Sequence, residues 1–335
     1  MILVTGATGH IGNTLIRQLL ERGESVRGLV LPGEDTTSLR DLDVDIVEGN
    51  VLDHLSLAQA FQDVHLVYHL AGVISIMSGK NEKMWQVNVE GTKNVIEAAT
   101  NSGVKRMVHT STIHALRRPP DGVTMDESLP FDPHNPYGEY DRSKAAASLE
   151  VLKAVERGLD AVIVCPTGVI GPYDYFRSEM GSMILEYLKA RIHYIFDGSY
   201  DFVDVRDVAQ GMILACEKGR TGESYLLSGE DVSLIRLQEM VHEEAEIETL
   251  GKVRIPNVFV KWFAGTAELF YKVTKLQPRY TRYSIETITG NSKVSSAKAR
   301  TELGYKPRLL KTTIADTILW WKENNDKLTA TLIPE

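Results

Sequence analysis

Eight residues near the start of the chain, TGATGHIG (5–12), constrain its fold more than any other stretch. They set Gly6, Gly9 and Gly12 between the strand-like ILVT (2–5) and the helical NTLIRQLLERG (13–23). Glycine at a first strand-to-helix junction allows a tight turn, lets the backbone approach a pyrophosphate, and lets helix and strand pack closely. The helix N-terminus then faces the phosphate charge. A glycine triplet alone marks many turns, but its place inside a βαβ unit makes this one read as a dinucleotide-binding turn.

The downstream pattern supplies that unit. Short β-rich runs at 25–31, 45–51, 64–72, 106–112 and 160–166 alternate with helical segments, among them 55–62 and 83–103. Gly103 is the C-cap signal of the second of these helices. The alternation predicts an α/β fold, a Rossmann-type doubly wound parallel sheet covered by helices on both faces. Beyond about residue 170 the order loosens, although 202–219 and 223–229 read as a helix and a strand returning to the sheet. The expected plan is a dinucleotide-binding domain over 1–170 and 200–232, with a smaller, discontinuous C-terminal substrate-binding domain over 171–199 and 233–335.

Composition removes several function classes. A net charge of -8 leaves no basic excess for a nucleic-acid surface. No apolar run approaches the roughly 20 residues that span a bilayer. The strand-like run from Ile2 leaves no room for a signal peptide, so the cytoplasm is the expected location. Cys165 and Cys216 form no CxxC pair, which suits a reducing compartment. His109 and His114 stand five apart across a strand end and face different ways, and no metal site is expected.

The adenosine end is less constrained. The second strand ends LVLPG, with Val30 and Leu31 where an NAD-selective fold usually carries an acid. Arg27 lies within the strand and Arg40 comes later, so no arginine clamps a 2′-phosphate either. NAD and NADP both stay open, with a lean to NADP because a repelling acid is missing. After the third strand, GNVLD offers Asn50 and Val51 to the adenine.

Chemistry enters with GEYDRSKAAAS (138–148). Tyr140 and Lys144, four apart, share a helix face and can point into one site. A free phenol titrates near 10, and lowering it by about 3 units takes roughly 4 kcal/mol, which two nearby cations can supply in a partly dry cleft. HTST (109–112) adds Thr110, Ser111 and Thr112 at the carboxyl end of a strand, where ligands of open α/β sheets bind.

TGATGHIG, HLAG (69–72), NVEGTKN (88–94), HTST, YDRSK (140–144) and CPTGVIGP (165–172) follow one another as in the extended short-chain dehydrogenase/reductases, the NAD-dependent epimerase/dehydratase family, and the resemblance covers essentially the whole chain. It implies Tyr140 as general acid/base, Lys144 as ribose ligand and pKa tuner, Thr112 as the catalytic hydroxyl with Ser111 in reserve, and Asn88 as a support. It also implies cofactor contacts from Gly6, Thr8, Gly9, His10, Ile11, Gly12, Leu31, Asn50, Val51, Leu70, Ala71, Gly72, Tyr140, Lys144 and Pro166. Asn50 departs from the family, which has an adenine-contacting Asp there. YDRSK, FVDVRDVA and GESYLLSGE resemble the dihydroflavonol reductase-like and 3β-hydroxysteroid dehydrogenase-like branch.

Two local departures bear on the reaction. Tyr200 stands where nucleotide-sugar enzymes of this family carry a pyrophosphate-gripping arginine. Ile113 and His114 replace the Asp-Glu pair of the dehydratases. The resemblance therefore favours NAD(P)-dependent reduction of an aldehyde or ketone, or the reverse oxidation of an alcohol. A sugar or nucleotide-sugar epimerase is the alternative, and a non-catalytic dinucleotide-binding redox sensor is a further one. His114, Tyr173 and Phe202 are candidate substrate contacts, with Tyr175 and Phe176 adding to an aromatic lining. The aromatic segment 255–273 reads as a substrate-domain helix over the cleft, and helices 83–101 and 136–156 as a homodimer interface like that of related enzymes.

Overall fold

A computed structural model describes residues 1–75, 79–120, 122–195, 198–255, 281–290 and 293–324. The aromatic segment expected over the cleft, beyond its first residue Ile255, lies outside the described residues. The chain opens β1 (Ile2–Thr5), α1 (His10–Glu21), β2 (Val26–Val30), β3 (Asp45–Glu48), α2 (His54–Ala60), β4 (Leu66–His69) and α3 (Glu82–Trp85). It continues through α4 (Gly91–Asn101), β5 (Arg106–Thr110), α5 (Glu139–Glu156), β6 (Ala161–Pro166), β7 (Gly168–Ile170), α6 (Glu179–Lys189) and β8 (Ile192–Ile195). Then follow β9 (Ser199–Asp204), α7 (Val205–Lys218), β10 (Ser224–Leu227), β11 (Glu230–Ser233), α8 (Leu234–Ala245), β12 (Gly251–Arg254), α9 (Arg282–Thr289) and α10 (Leu310–Asn324).

Seven strands form one sheet in the order β10-β6-β5-β4-β1-β2-β3. Every pair in it is parallel, with Thr5 opposite Leu29 on one side and His69 on the other. Sequence order runs outward in both directions from the β1–β4 boundary, which makes that boundary the topological switch point. Burial follows the period-2 geometry of a strand covered on both faces. Ile2, Val4, Val108, Val162 and Val164 pack into one core with Leu15, Ile16 and Leu19 of α1 and Val208, Met212 and Ile213 of α7. Leu3, Met107, Ile163 and Cys165 face the other core, with Val95, Ile96 and Ala99 of α4 and Val151 and Ala154 of α5.

The segment read as one helix over 83–103 differs in detail. A π-helical turn (Gln86–Glu90) separates α3 from α4, and the helix stops at Ser102 with Gly103 in the left-handed region at φ +66. The returning segment behaves as expected, since α7 packs on α1 and β10 extends the sheet beside β6. The short strands after β6 build two further sheets, β11-β9-β7 and β12-β8, and a third core of Leu185, Tyr200, Phe202, Leu237 and Trp321 lies among them.

Candidate active site

The site assembles at the carboxyl ends of β1, β4 and β5. Gly6 takes φ +68, and a Cβ there would stand 2.9 Å from Ala71 N. A Cβ on Gly12 would stand 2.1 Å from Gly6 O, so turn and helix close on each other with no room for a side chain. The Thr5 hydroxyl accepts the Leu70 and Ala71 N–H groups at 3.2 and 3.1 Å and bonds His69 Nδ1 at 2.8 Å, which fastens HLAG to the glycine turn. Gly9 caps α1 with no side-chain hydrogen bond, leaving the helix N-terminus open to an anion. Gly6, Thr8, Gly9, His10, Ile11 and Gly12 thus build a cradle that fits a dinucleotide pyrophosphate. His10 also reaches across to Pro172 O at 2.9 Å, while Ile11 packs on the core.

The alanine-rich α5 carries the Tyr–Lys pair. Ser143, Ala145, Ala147 and Ser148 are fully buried, and these small side chains let the helix lie close to the sheet and to the π-helical turn. That turn presents Asn88, whose Oδ1 accepts Val73 N–H at 2.7 Å. Its Nδ2 donates to Val73 O and Ser143 Oγ, both at 3.0 Å, and Ser143 Oγ donates to Tyr140 O at 2.8 Å. Asn88 therefore braces the first turn of α5, and π-helical turns are frequent at such sites.

Lys144 is buried, with Nζ donating to Thr110 O at 2.5 Å and lying beside Gly72. Burial pushes its ammonium down to about 8. Tyr140 is half-buried. Desolvation and the neighbouring Asp141 hold its phenol well above its ordinary value, and a hydrogen bond from Thr112 acts in the opposite direction. Ser111 goes elsewhere: its hydroxyl pairs with Ser148 Oγ at 2.7 Å, and Ser148 donates to Lys144 O at 2.8 Å. Of the two candidate hydroxyls, Thr112 is the one that lowers the phenol, and Ser111 is turned into α5.

Polar aromatic groups surround this pair. His114 Nε2 lies 2.5 Å from Tyr200 OH, their rings stack at 5.9 Å, and Tyr283 meets His114 edge-on at 6.3 Å. Burial pushes His114 down to about 3, so the ring is neutral. Tyr283 donates to the buried Asp141 Oδ1 at 2.6 Å, and Arg118 lies 3.5 Å from Oδ2 while stacking over Tyr137 at 3.7 Å. Burial pushes the Asp141 carboxyl up to about 6. Arg118 and Tyr283 escaped sequence reasoning because no local pattern marks them; Asp141 lay inside YDRSK, overshadowed by its two neighbours.

The remaining candidates are placed as follows. Phe202 is 2% exposed and packs behind Tyr200 in the core. Tyr173 and Tyr175 turn toward Arg17 and Trp320 rather than toward Tyr140. Asn50 Oδ1 is engaged by Leu52 N–H at 2.9 Å, Val51 is core, and Pro166 is buried at the end of β6. The end of β2 also holds an acid that the sequence reading did not place there. Glu34 folds back so that Leu31 N–H and the Thr8 hydroxyl both donate to its carboxylate, at 2.7 and 2.6 Å.

Residues 2–228 match a sequence profile of the NAD dependent epimerase/dehydratase family. The chain is 33% identical over 323 residues to the sterol demethylase protein B of Methylococcus capsulatus, covering 96% of this chain and 98% of that one. It is 31% identical over 330 residues to a putative dihydroflavonol 4-reductase of Synechocystis sp., with 96% and 94% covered. The crystal structure of gox2253 superposes with a TM-score of 0.84 at 34% identity, covering 97% of this chain and 98% of that one.

Proposed function

The chain belongs to the NAD dependent epimerase/dehydratase family, and from that premise we propose that it reduces an aldehyde or ketone, or oxidises the matching alcohol, at a site made of Tyr140, Lys144 and Thr112. It is an NAD(P)-dependent oxidoreductase, as its reductase-named relative also indicates. A dinucleotide held at the glycine turn by Gly6, Gly9 and Gly12 would supply hydride chemistry at the carbonyl carbon. Tyr140 gives its phenolic proton to the oxygen that becomes the alcohol, while the Thr112 hydroxyl donates a hydrogen bond to that oxygen. Lys144, one turn further along the same buried helix face, would stabilise the phenolate with its ammonium when it is charged. Asn88 keeps the first turn of α5 in place through Ser143.

One observation carries this reading. Thr112 lies close enough to the Tyr140 phenol to lower it, Lys144 is buried one turn further along α5, and Ser111 is occupied by Ser148. The surrounding wall bears on the substrate. Tyr200 is buried and bonded to neutral His114, with Tyr283 beside them and Arg118 paired with Asp141, so the wall presents aromatic rings at the position where a nucleotide-sugar enzyme offers a guanidinium. That wall suits an uncharged, ring-bearing carbonyl compound, and the same reading applies to this chain the chemistry in its relative's name, dihydroflavonol 4-reductase.

Thr112→Val and Ser111→Ala separate the two hydroxyls. Loss of one hydrogen bond to a developing oxyanion costs about 10²- to 10³-fold in kcat, so Thr112→Val should fall by that much. Ser111→Ala should stay within about 10-fold of the wild type, because its partner is a helix serine. The opposite ranking would move the oxyanion donor to Ser111 and contradict this arrangement.

A further inference from the structure

We propose that Glu34 sets the choice of cofactor, selecting NAD over NADP by holding a carboxylate at the ribose of the adenosine half. The proposal rests on the dinucleotide reading above. The acid is delivered by a turn and not by the strand itself. Pro32 fixes φ at the first corner, Gly33 takes φ +73 at the second, and Glu34 N–H donates to Leu31 O at 3.0 Å. Proline followed by a residue with positive φ makes Leu31–Glu34 a type II turn. The chain doubles back, and the Glu34 side chain returns to the end of β2.

There it finds two donors on two elements. Leu31 N–H donates to Oε2 at 2.7 Å, and Thr8 Oγ1 donates to Oε1 at 2.6 Å. Thr8 belongs to the glycine turn and is 4% exposed, so the carboxylate bridges the phosphate-binding turn and the end of β2. The adenosine ribose of a dinucleotide lies between those two elements. Each carboxylate oxygen here spends one acceptor site on the protein and keeps another for a ribose hydroxyl. The Glu34 residue itself is exposed, within reach of a ligand.

Nearby charges share its sign. Glu48, at the end of β3, lies 3.5 Å from Gly33 N, and Asp35 caps Thr37 N–H at 2.8 Å. Arg17, a guanidinium of this quarter, is engaged elsewhere. Arg17 donates to Ser38 O and Tyr175 OH at 3.0 and 3.2 Å and lies over the Tyr173 ring at 4.7 Å. Arg40 acts on Asp35. A ribose diol would find acceptors here, whereas a 2′-phosphate would meet carboxylates of its own sign.

NAD and NADP are each titrated calorimetrically into the full-length protein, its Glu34→Gln form and its Gly33→Ala form. Glutamine keeps the shape and removes the charge; alanine keeps the carboxylate but disfavours the turn. The wild type should bind NAD more tightly than NADP by about 20-fold, and Glu34→Gln should bring the two within about 3-fold, chiefly by tightening NADP. Gly33→Ala should shift the ratio the same way. Equal or tighter NADP binding by the wild type overturns the assignment. So does an unchanged ratio in Glu34→Gln when its melting temperature matches the wild type. If the wild type binds neither nucleotide, the dinucleotide reading fails, and this proposal with it.

Discussion

At the scale of single residues, Lys144 shows the tension in the site. The burial that keeps the site dry also works against the charge it uses, bringing the ammonium down to about 8. A group with a lowered pKa is charged below that value and neutral above it. Reduction should therefore hold its rate up to about pH 7 and decline through about pH 8 as Lys144 loses its proton. Oxidation, which needs the phenolate of Tyr140, should rise only at more alkaline pH, because burial and Asp141 hold the phenol above its ordinary value. A kcat profile in each direction checks this, and Lys144→Met should lack the decline near pH 8; a wild-type reduction rate flat to pH 9 would oppose it. Tyr140 and Lys144 stood out by their spacing and the HTST hydroxyls by their strand-end position, both local signals, whereas the choice of Thr112 among those hydroxyls came from the family resemblance. Tyr283 was not, since its bond to Asp141 joins residues 142 apart. Glu34 was half-legible: Pro-Gly announces a turn, but where the turn sends the next side chain is a matter of three dimensions.

At the scale of elements, the β1–turn–α1 unit is the firmest part of the sequence reading. Its glycines are required by close approach and not merely tolerated. Gly12→Ala would set a methyl 2.1 Å from a backbone oxygen that cannot move without opening the turn. Overpacking of this kind costs about 1–3 kcal/mol, so the variant should melt lower and lose dinucleotide binding. Gly23→Ala is the control. Its φ of +77 carries a conformational cost, but nothing lies within 4 Å, so binding should be unchanged. Calorimetry with thermal melts compares the two, and retained binding in Gly12→Ala would contradict the tight-turn account. The π-helical turn at Gln86–Glu90 escaped the sequence reading for a physical reason. A shift from i→i−4 to i→i−5 bonding needs no special residue type, so the segment still reads as one helix, although Asn88 owes its position to that shift.

At the scale of the whole molecule, strand–helix alternation was enough to foresee the parallel sheet, because fully buried strands and their crossover helices announce themselves locally. The small sheets β11-β9-β7 and β12-β8 were not foreseen, because strands of three to six residues pair across distant segments and leave only weak periodicity. Those segments also supply Tyr200, so the wall of the site was the part least visible in sequence. The described residues thus join a parallel sheet legible in the sequence to smaller sheets defined by long-range packing. The most direct test of the central claim follows consumption of reduced dinucleotide against a panel of ring ketones and aldehydes, for the wild type and Tyr140→Phe, with cofactor binding measured on the same samples. The account predicts turnover by the wild type and a loss of about 10²- to 10⁴-fold in Tyr140→Phe, with cofactor affinity little changed. Turnover by Tyr140→Phe at the wild-type rate would contradict it, as would a wild type that holds dinucleotide tightly, consumes none, and interconverts epimers.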